Sequence, residues 1–334
     1  MAGIKALRKI QLGVEVTPGT AVAATAIWRG MGTIEDQREV VFSQEDVGYV
    51  GGLDRTHVPK LLAAISMDET EATFEQLPYI LAAGVKNVVA GAADGSGSDL
   101  IYAYPFPTTA VNTLKTYTIQ GGDNQEAERM EYSFVEAFKL TGKAGEALKM
   151  QADWLGRQVA LNAFTGSLSL PTVEEILFSK GKLYIDAVGG TIGGTQKSNT
   201  LLGMELSVKT GLIPVFAADG NLYFSFMKST GQLEIILKIT FEHDSTSAAE
   251  KVIWRAGTPR QIRLDFDGNA VTTPGTTYST KKLRIDLAGK WEKFDKLDEQ
   301  DGNDIVTGTF RARYNSTAAL FASITVVNEL ASLT

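Results

Sequence analysis

Apolar and polar side chains alternate along much of the chain, with the two-residue period of a half-buried β-strand. The clearest stretches are residues 130–141, 233–242 and 282–291. In the first of them, apolar side chains occupy the even positions with one interruption at Glu136. Long alternating runs separated by glycine-bearing turns predict a mainly β fold whose antiparallel sheets close as a sandwich or barrel.

Two segments have helical spacing instead of strand alternation. Residues 73–84 end at Gly84, which can stop a helix. Residues 247–257 contain Ser247 and Glu250 at the spacing of a capping box. The apolar stripe predicted for this second helix consists of Ala249, Val252 and Ile253.

The order of these elements indicates an internal duplication. One Gly-Met pair begins at Gly30 and another at Gly203, and each is followed by a glycine that ends a helix, Gly84 and Gly257. The distance along the sequence from Gly30 to Gly84 equals that from Gly203 to Gly257, so both correspondences have one common offset. Coincidence among common β elements is the alternative, because residue identities match poorly. The predicted parts are an N-terminal arm at 1–26, a first module at 27–165 with a long loop at 36–60, and a second module at 166–334.

Composition excludes several kinds of site and partner. The chain has no cysteine, so disulfides, thiolate metal sites and cysteine nucleophiles are excluded. A net charge of −7 argues against a surface that grips nucleic acid by neutralising phosphates. No stretch approaches the ~20 consecutive apolar residues of a membrane-spanning helix, and the N-terminus lacks the apolar core of a signal peptide. We therefore expect a protein that stays in the cytoplasm where it is made, without membrane insertion.

The motifs suggest no enzyme, no catalytic residue and no cofactor. His57 and His243 lie far apart in the sequence, and neither is next to a matched acid or nucleophile. The glycine clusters at 94–99 and 189–195 lack the Gly-Lys-Ser/Thr of a phosphate-binding loop, and we interpret them as hairpin tips.

Two acidic stretches, 264–269 and 298–304, raise the question of a bound cation. Neither has the twelve-residue spacing of an EF-hand loop. We interpret both as Asp-Gly turns between strands, with cation binding left open.

The run GVEVTPGTAVAATAIWRGMG, residues 13–32, resembles the opening of the major tail tube proteins of long, non-contractile bacteriophage tails. In many of those proteins a short arm reading Glu-x-Thr-x-Gly-Thr-Ala-Val leads into the first strand. The helix at 73–85 and the strand pair at 130–157 are also similar to that family. The resemblance in the order of elements extends over both halves, although the resemblance in amino-acid sequence is concentrated in residues 13–160.

This resemblance implies a non-enzymatic structural subunit of the virion tail, assembled in the host cytoplasm. Its larger, two-module members form trimeric rings with pseudo-sixfold symmetry, in which strands of neighbouring subunits join into a continuous β-barrel with a helix packed outside each sheet. Stacked rings make the hollow conduit through which genomic DNA passes without specific binding. The implied partners are further copies of the chain, the tail initiator or tip, the tape measure protein and the tail terminator.

Two sets of residues are candidates for roles in such a tube. The segment 36–60 mixes charge with apolar residues and is either a mobile excursion or an interaction arm, and we expect it to contact the next ring. Its candidate contact residues are Glu45, Asp46, Asp54 and Arg55. The polar positions of two strands are candidates to line the lumen: Glu131, Ser133, Lys139, Lys149, Gln151 and Asp153.

Two other classes of protein share parts of this pattern. A carbohydrate-binding or adhesive β-sandwich would need an exposed aromatic platform, whereas the four tryptophans lie in apolar registers that predict burial: Trp28, Trp154, Trp254 and Trp291. A glycosidase could assemble two carboxylates from separate strands, a pattern that sequence alone does not reveal.

Overall fold

The chain is mainly β, as the alternation predicts. The computed structural model describes residues 2–333, and within them it contains 23 β-strands and two α-helices. The first half comprises β1 (Lys9–Val14), β2 (Ala26–Trp28), β3 (Gly32–Asp36), β4 (Val41–Phe42), β5 (Thr56–His57), β6 (Ala63–Glu71), α1 (Leu77–Gly84), β7 (Ala92–Ala93), β8 (Leu100–Pro105), β9 (Tyr117–Gly122), β10 (Ala127–Lys143), β11 (Lys149–Gly156) and β12 (Val159–Asn162).

The second half contains the remaining elements. They are β13 (Gly181–Ala187), β14 (Gln196–Lys197), β15 (Leu201–Lys209), β16 (Leu212–Val215), β17 (Phe226–Ser229), β18 (Glu234–Glu242), α2 (Ser245–Arg255), β19 (Arg260–Ala270), β20 (Thr280–Phe294), β21 (Asp298–Gln300), β22 (Asn303–Ala312) and β23 (Ala322–Asn328).

The order of strand pairing in the first half recurs in the second, and all of these pairs are antiparallel. In the first half β2, β1, β9 and β10 lie side by side, β10 also pairs with β12 and β11, and β11 leads to β6 and β3. In the second half β14, β13, β19 and β20 lie side by side, β20 also pairs with β23 and β22, and β22 leads to β18 and β15. Each central strand has a register shift at a glutamate, Glu136 in β10 and Glu292 in β20.

One sheet, which we call the shared sheet, joins the two halves. Residues Ala137–Lys143 of β10 pair with β15, which gives the strand order β3-β6-β11-β10-β15-β18-β22-β20. A second connection is β8, which leaves the first half and pairs with β23. Among the described residues, no series of strand pairings returns to the strand from which it starts, so the shared sheet is open. Its two end strands are β3 and the C-terminal part of β20.

The hydrophobic core lies behind the shared sheet. Apolar side chains of that sheet, such as Trp154 and Leu237, form one buried cluster with side chains of the remaining strands, such as Tyr117 and Ile285. In the first half the rings of Tyr117 and Trp154 meet edge to face, with centroids 5.8 Å apart. Because this face is apolar, the opposite face of the shared sheet is left for polar residues.

The two helices differ in burial. All eight residues of α1 are buried, and the Tyr104 hydroxyl of β8 donates a hydrogen bond to the carbonyl of Pro78 (3.2 Å). In α2 only Ser247 and Glu250 are buried, and Val252 is 60% exposed. The prediction of a buried stripe on this helix is therefore wrong for Ala249 and Val252, both of which are exposed, because nothing in the described chain covers that side.

The capping box of α2 also differs from its prediction. Asp244 is the N-cap, and its carboxylate accepts hydrogen bonds from the backbone N–H groups of Thr246 and Ser247. The Ser247 hydroxyl accepts from the Asp244 N–H, so the box joins Asp244 to Ser247 instead of Ser247 to Glu250. Glu250 instead accepts hydrogen bonds from Arg260 and from the Trp291 indole, which draws its carboxylate into the core.

Three of the four segments interpreted as turns are confirmed, whereas the fourth and the N-terminal arm need correction. The glycine clusters are the tips of the β7–β8 and β13–β14 hairpins, and residues 298–304 turn between β21 and β22 at Asp301 and Gly302. Residues 264–269 lie within β19 instead of a turn, because Asp265 and Asp267 form ion pairs with basic side chains of neighbouring strands. The predicted N-terminal arm contains β1, which is buried between β2 and β9.

Candidate assembly interface

The exposed face of the shared sheet is covered by charged side chains of both signs. Lys139 of β10 and Lys238 of β18 both contact Glu205 of β15, at 3.1 and 2.9 Å between nitrogen and oxygen. Burial tends to raise the pKa of Glu205, but its hydrogen bonds to Lys238 and Lys139 outweigh that effect and hold the pKa below its usual value. The carboxylate therefore stays ionised at neutral pH, and it neutralises one of the two lysine charges that meet it.

Similar ion pairs extend toward both ends of this face. On one side, Lys149 lies 4.0 Å from Glu69. On the other, Arg311 of β22 contacts both Glu292 (2.9 Å) and Glu234. Because positive and negative groups alternate across neighbouring strands, the face has no large region of one sign.

Four of the six lumen candidates lie on this polar face. Lys139, Lys149 and Asp153 are substantially exposed, and Gln151 is partly exposed. Asp153 accepts a hydrogen bond from the Ser66 hydroxyl of the next strand (2.7 Å). The structure therefore places these four residues together, on strands β10 and β11.

Glu131 and Ser133 are buried, which corrects the expectation that they share the exposed face. Glu131 is only 7% exposed, and burial raises the pKa of its carboxyl despite a hydrogen bond from Gln158. Tyr132 between them has a φ of +55°, so the strand alternation is interrupted at this residue. Both faces of β10 are covered here, which the local sequence pattern does not reveal.

The cover over this part of β10 is a hairpin from the second half, residues 212–229, which we call the second hairpin. It carries Phe224, which is fully buried against Tyr132 and Phe134 with ring centroids 5.2 and 5.9 Å away. Arg157 fixes it in place by donating hydrogen bonds to the carbonyls of Phe224 (3.0 Å) and Ser225 (2.7 Å). The same guanidinium lies over the Tyr132 ring, 4.6 Å from its centroid.

The segment 36–60, which we call the first hairpin, is largely exposed. It leaves β3 and returns to β6 through the short pair β4–β5. Glu45 and Arg55 form an ion pair within it, and Asp46 and Asp54 are exposed. Six large apolar side chains on it are also exposed: Val40, Phe42 (64%), Val47, Tyr49 (68%), Val50 (110%) and Leu53 (47%).

Residues of the run 13–32 hold the N-terminal loop to the core. The Glu15 carboxylate is 1% exposed and accepts four hydrogen bonds, from the backbone N–H groups of Gly19 (2.8 Å) and Tyr132 (2.8 Å) and from the hydroxyls of Thr116 and Thr118. Gly19 has a φ of +79°, and a side chain there would collide with Arg157. The Glu and Gly of the motif thus stabilise a tight loop beside the second hairpin.

Two histidines and a pair of aspartates are the other chemically notable residues of the described chain. His57 is exposed on β5, and His243 lies 3.5 Å from the Ser247 hydroxyl that belongs to the α2 capping box. Within residues 2–333 no three His, Cys, Asp or Glu side chains are grouped so that they could hold a metal ion. Asp94 and Asp99 are neighbours at the β7–β8 tip, where burial and the Asp94 carboxylate raise the pKa of Asp99.

The tryptophans bear on the alternative of an adhesive surface. Trp28, Trp154 and Trp291 are buried, as predicted, at 5% exposure or less. Trp254 is partly buried and donates a hydrogen bond to the Glu292 carbonyl (3.1 Å). These four side chains therefore do not make an exposed aromatic platform.

No protein-family model matches the sequence. No curated protein matches it either. Neither helix in the described part of the chain has the length and apolar character needed to cross a membrane.

Proposed function

We propose that this chain is a structural subunit of a bacteriophage tail tube, which polymerises as stacked rings into a conduit for DNA. The observation that carries this proposal is the shared sheet, which continues from one half to the other and ends in two unpaired strand edges. An open edge can pair with another chain. Subunits that each have two such edges can pair side by side, one after another, until a ring closes.

The repeated pairing order supports a construction from two copies of one module. In this proposal β10 corresponds to β20, β11 to β22, β6 to β18 and β3 to β15. The bulges at Glu136 and Glu292 then fall at the same place in the two modules. Three chains with two modules each give a ring with six module positions, hence the proposed trimer with pseudo-sixfold symmetry.

The contact between modules within one chain supplies a template for the contact between chains. Inside the chain, β15 pairs with the C-terminal part of β10. The corresponding strands are β3 and the C-terminal part of β20, and these are the two open edges. In the ring, β3 of one copy therefore pairs with β20 of the next, and the shared sheets join into a continuous barrel.

The charge pattern of the polar face supports its assignment to the lumen. A wall rich in Lys and Arg would retain DNA through its phosphates, whereas alternating ion pairs offer no extended basic surface. Genomic DNA passes along this face without specific binding. Such a tube belongs to the virion tail and works with initiator, tape measure and terminator proteins, and the chain itself carries no catalytic role.

Engineered cysteines test the proposed edge pairing, because the natural chain has none. Within the chain Lys139 pairs with Ser207, and the corresponding positions across the ring contact are Asp295 and Glu35. We expect a mixture of the Glu35→Cys and Asp295→Cys variants to form cross-linked dimers on mild oxidation of assembled protein. Mass spectrometry of the linked peptides identifies the pair.

A matched control is available inside the same molecule. The Lys139→Cys, Ser207→Cys double variant should form the equivalent link within one chain, at any protein concentration. If that control forms its link while Glu35 and Asp295 never do in assembled protein, the proposed edge pairing is wrong.

A further inference from the structure

The second hairpin shows how one module of this chain receives a hairpin from its neighbour. It extends from β15 across the junction and packs on the first half, with Phe224 buried and Arg157 bonded to its backbone. Leu61, which lies just before β6, also donates a backbone hydrogen bond to the Leu222 carbonyl (2.9 Å). The junction between the two halves therefore consists of a strand pair and a docked hairpin.

The first hairpin is the counterpart of the second in position, and the two strand-to-strand connections that carry the hairpins are equal in length. Asp36 of β3 pairs with Ala63 of β6, and Val208 of β15 pairs with Ile235 of β18. The segments that these pairs enclose, 37–62 and 209–234, are equally long. Both segments form a two-stranded hairpin, β4–β5 in one and β16–β17 in the other.

The surface that receives a hairpin also has a counterpart, on the second half. The backbone N–H of Arg157 donates to the carbonyl of Glu131 on the central strand β10 (2.9 Å), and that of Arg313 donates to Ala288 on β20 (2.8 Å). Arg313 is exposed, and among the described residues its guanidinium makes no hydrogen bond or ion pair. Beside it lies an open cavity of about 350 Å³, lined among others by Pro259, Trp291 and Tyr314.

We propose that the first hairpin of one copy docks on this cavity in the next copy, where Arg313 binds its backbone as Arg157 binds the second hairpin. This contact rests on the proposed ring, and it is lateral instead of between stacked rings. Leu53 lies one residue from the position that corresponds to Phe224, so it enters the cavity beside Trp291 and Tyr314. The exposed side chains Phe42, Tyr49 and Val50 are covered at the same time.

The charges of the two surfaces also favour the first hairpin as the segment that binds in this cavity. Asp46 and Asp54 are exposed on the first hairpin, and the receiving surface carries Lys290 and Arg313. Opposite charges at the rim favour association in one orientation. A planar guanidinium presents its donors in a rigid fork toward two carbonyls, a geometry that the flexible ammonium group of lysine does not reproduce.

Site-specific cross-linking between two different variants tests the contact directly. The Leu53→Cys and Tyr314→Cys variants are mixed, so that a link between positions 53 and 314 joins two separate chains. We expect this mixed link in assembled protein, identified by mass spectrometry, whereas a Val16→Cys and Tyr314→Cys mixture, whose exposed Val16 lies outside the hairpin, should give almost none.

Substitution of the arginine gives an independent measurement. The Arg313→Ala variant should need about tenfold more protein for half-maximal assembly, the effect of losing roughly 1.4 kcal/mol at an interface. The Arg313→Lys variant should resemble Arg313→Ala, because charge alone does not replace the two hydrogen bonds.

The outcomes separate this inference from the proposed function. Rings that assemble normally with Arg313→Ala and give no 53–314 link overturn the docking contact and leave the tube proposal standing. A mixed 53–314 link in protein that forms no ring supports the docking contact and counts against the tube. The absence of both the link and the rings overturns both.

Discussion

At the scale of single residues, Glu15 shows what the N-terminal motif does in this chain. A carboxylate buried without a cation is unfavourable unless its oxygens accept hydrogen bonds. Here four donors meet it, and two of them are backbone N–H groups. The carboxylate thereby fixes the loop at Gly19 and the left-handed residue Tyr132 at the same time.

Replacing Glu15 with glutamine should therefore destabilise the monomer. The amide has one acceptor oxygen, and its NH2 group faces donors, so at least one backbone N–H loses its partner. The expected loss in free energy of unfolding is about 1–3 kcal/mol. Urea unfolding followed by tryptophan fluorescence measures it.

The Glu39→Gln variant serves as the control for this substitution. Glu39 is half exposed and pairs only with Lys60 at the surface, so its loss should cost well under ~1 kcal/mol. Equal effects of the two substitutions would contradict the role assigned to Glu15.

At the scale of elements, local alternation predicts the buried side chains of a strand correctly when only one face of that strand is covered. The alternation in 233–242 predicts β18 well, because one face of that strand meets the core and the other meets solvent. It fails at Glu131 and Ser133, because the strand is irregular at Tyr132 and a hairpin from the other half of the sequence covers the face that carries Tyr132 and Phe134. A local pattern carries no information about such a distant partner, and the exposure of Val252 on α2 could not be predicted for the same reason.

The order of elements predicts more of the pairing pattern than residue identity does. Alternating strands, the two helices and the equal spacing of the Gly-Met pairs predict two similar halves, and the order of strand pairing recurs between them. The hydrogen-bonding order, the hairpin counterparts and the two arginines depend on contacts between distant segments. Those features of the candidate interface could not be derived from the sequence.

The docked second hairpin gives a prediction for Arg157. Its guanidinium makes two hydrogen bonds to the hairpin backbone and lies over an aromatic ring. The Arg157→Ala variant should loosen residues 212–229 and lower the free energy of unfolding by about 2 kcal/mol. Limited proteolysis of the monomer should then cut within this hairpin faster than in the natural chain.

Arg313 is the matched control for that substitution. Its guanidinium makes no hydrogen bond within the described chain, so Arg313→Ala should leave the monomer as stable and as protease-resistant as before. A monomer destabilised equally by both substitutions would show that Arg313 has a structural partner within the chain. It would argue against the availability of Arg313 for the proposed docking contact.

At the scale of the whole molecule, the balance of charge on the shared sheet predicts weak retention of DNA. Assembled tubes incubated with short duplex DNA at low salt should retain almost none of it. The Gln151→Lys, Asp153→Lys variant adds positive charge to two neighbouring outward positions of this face, and its tubes should retain DNA in a salt-sensitive way. Gel filtration of tubes with labelled duplex measures the difference.

The control for this variant places the same charges elsewhere. Asp219 and Asn221 are exposed at the tip of the second hairpin, away from the strands of the polar face. If Asp219→Lys, Asn221→Lys tubes retain DNA as strongly as the strand variant, the retention reflects overall charge. The assignment of the polar face to the lumen would then be wrong.

The central claim is that two modules in each chain close a ring of three chains, and electron microscopy of concentrated protein tests it most directly. The account predicts hollow rings or stacked tubes whose cross-sections contain three copies of the chain and six similar modules. Freshly prepared protein can remain monomeric until it is concentrated or given an initiator, so both conditions are compared. Rings of six full-length chains would contradict the two-module trimer, and dispersed monomers under every condition would contradict the tube itself.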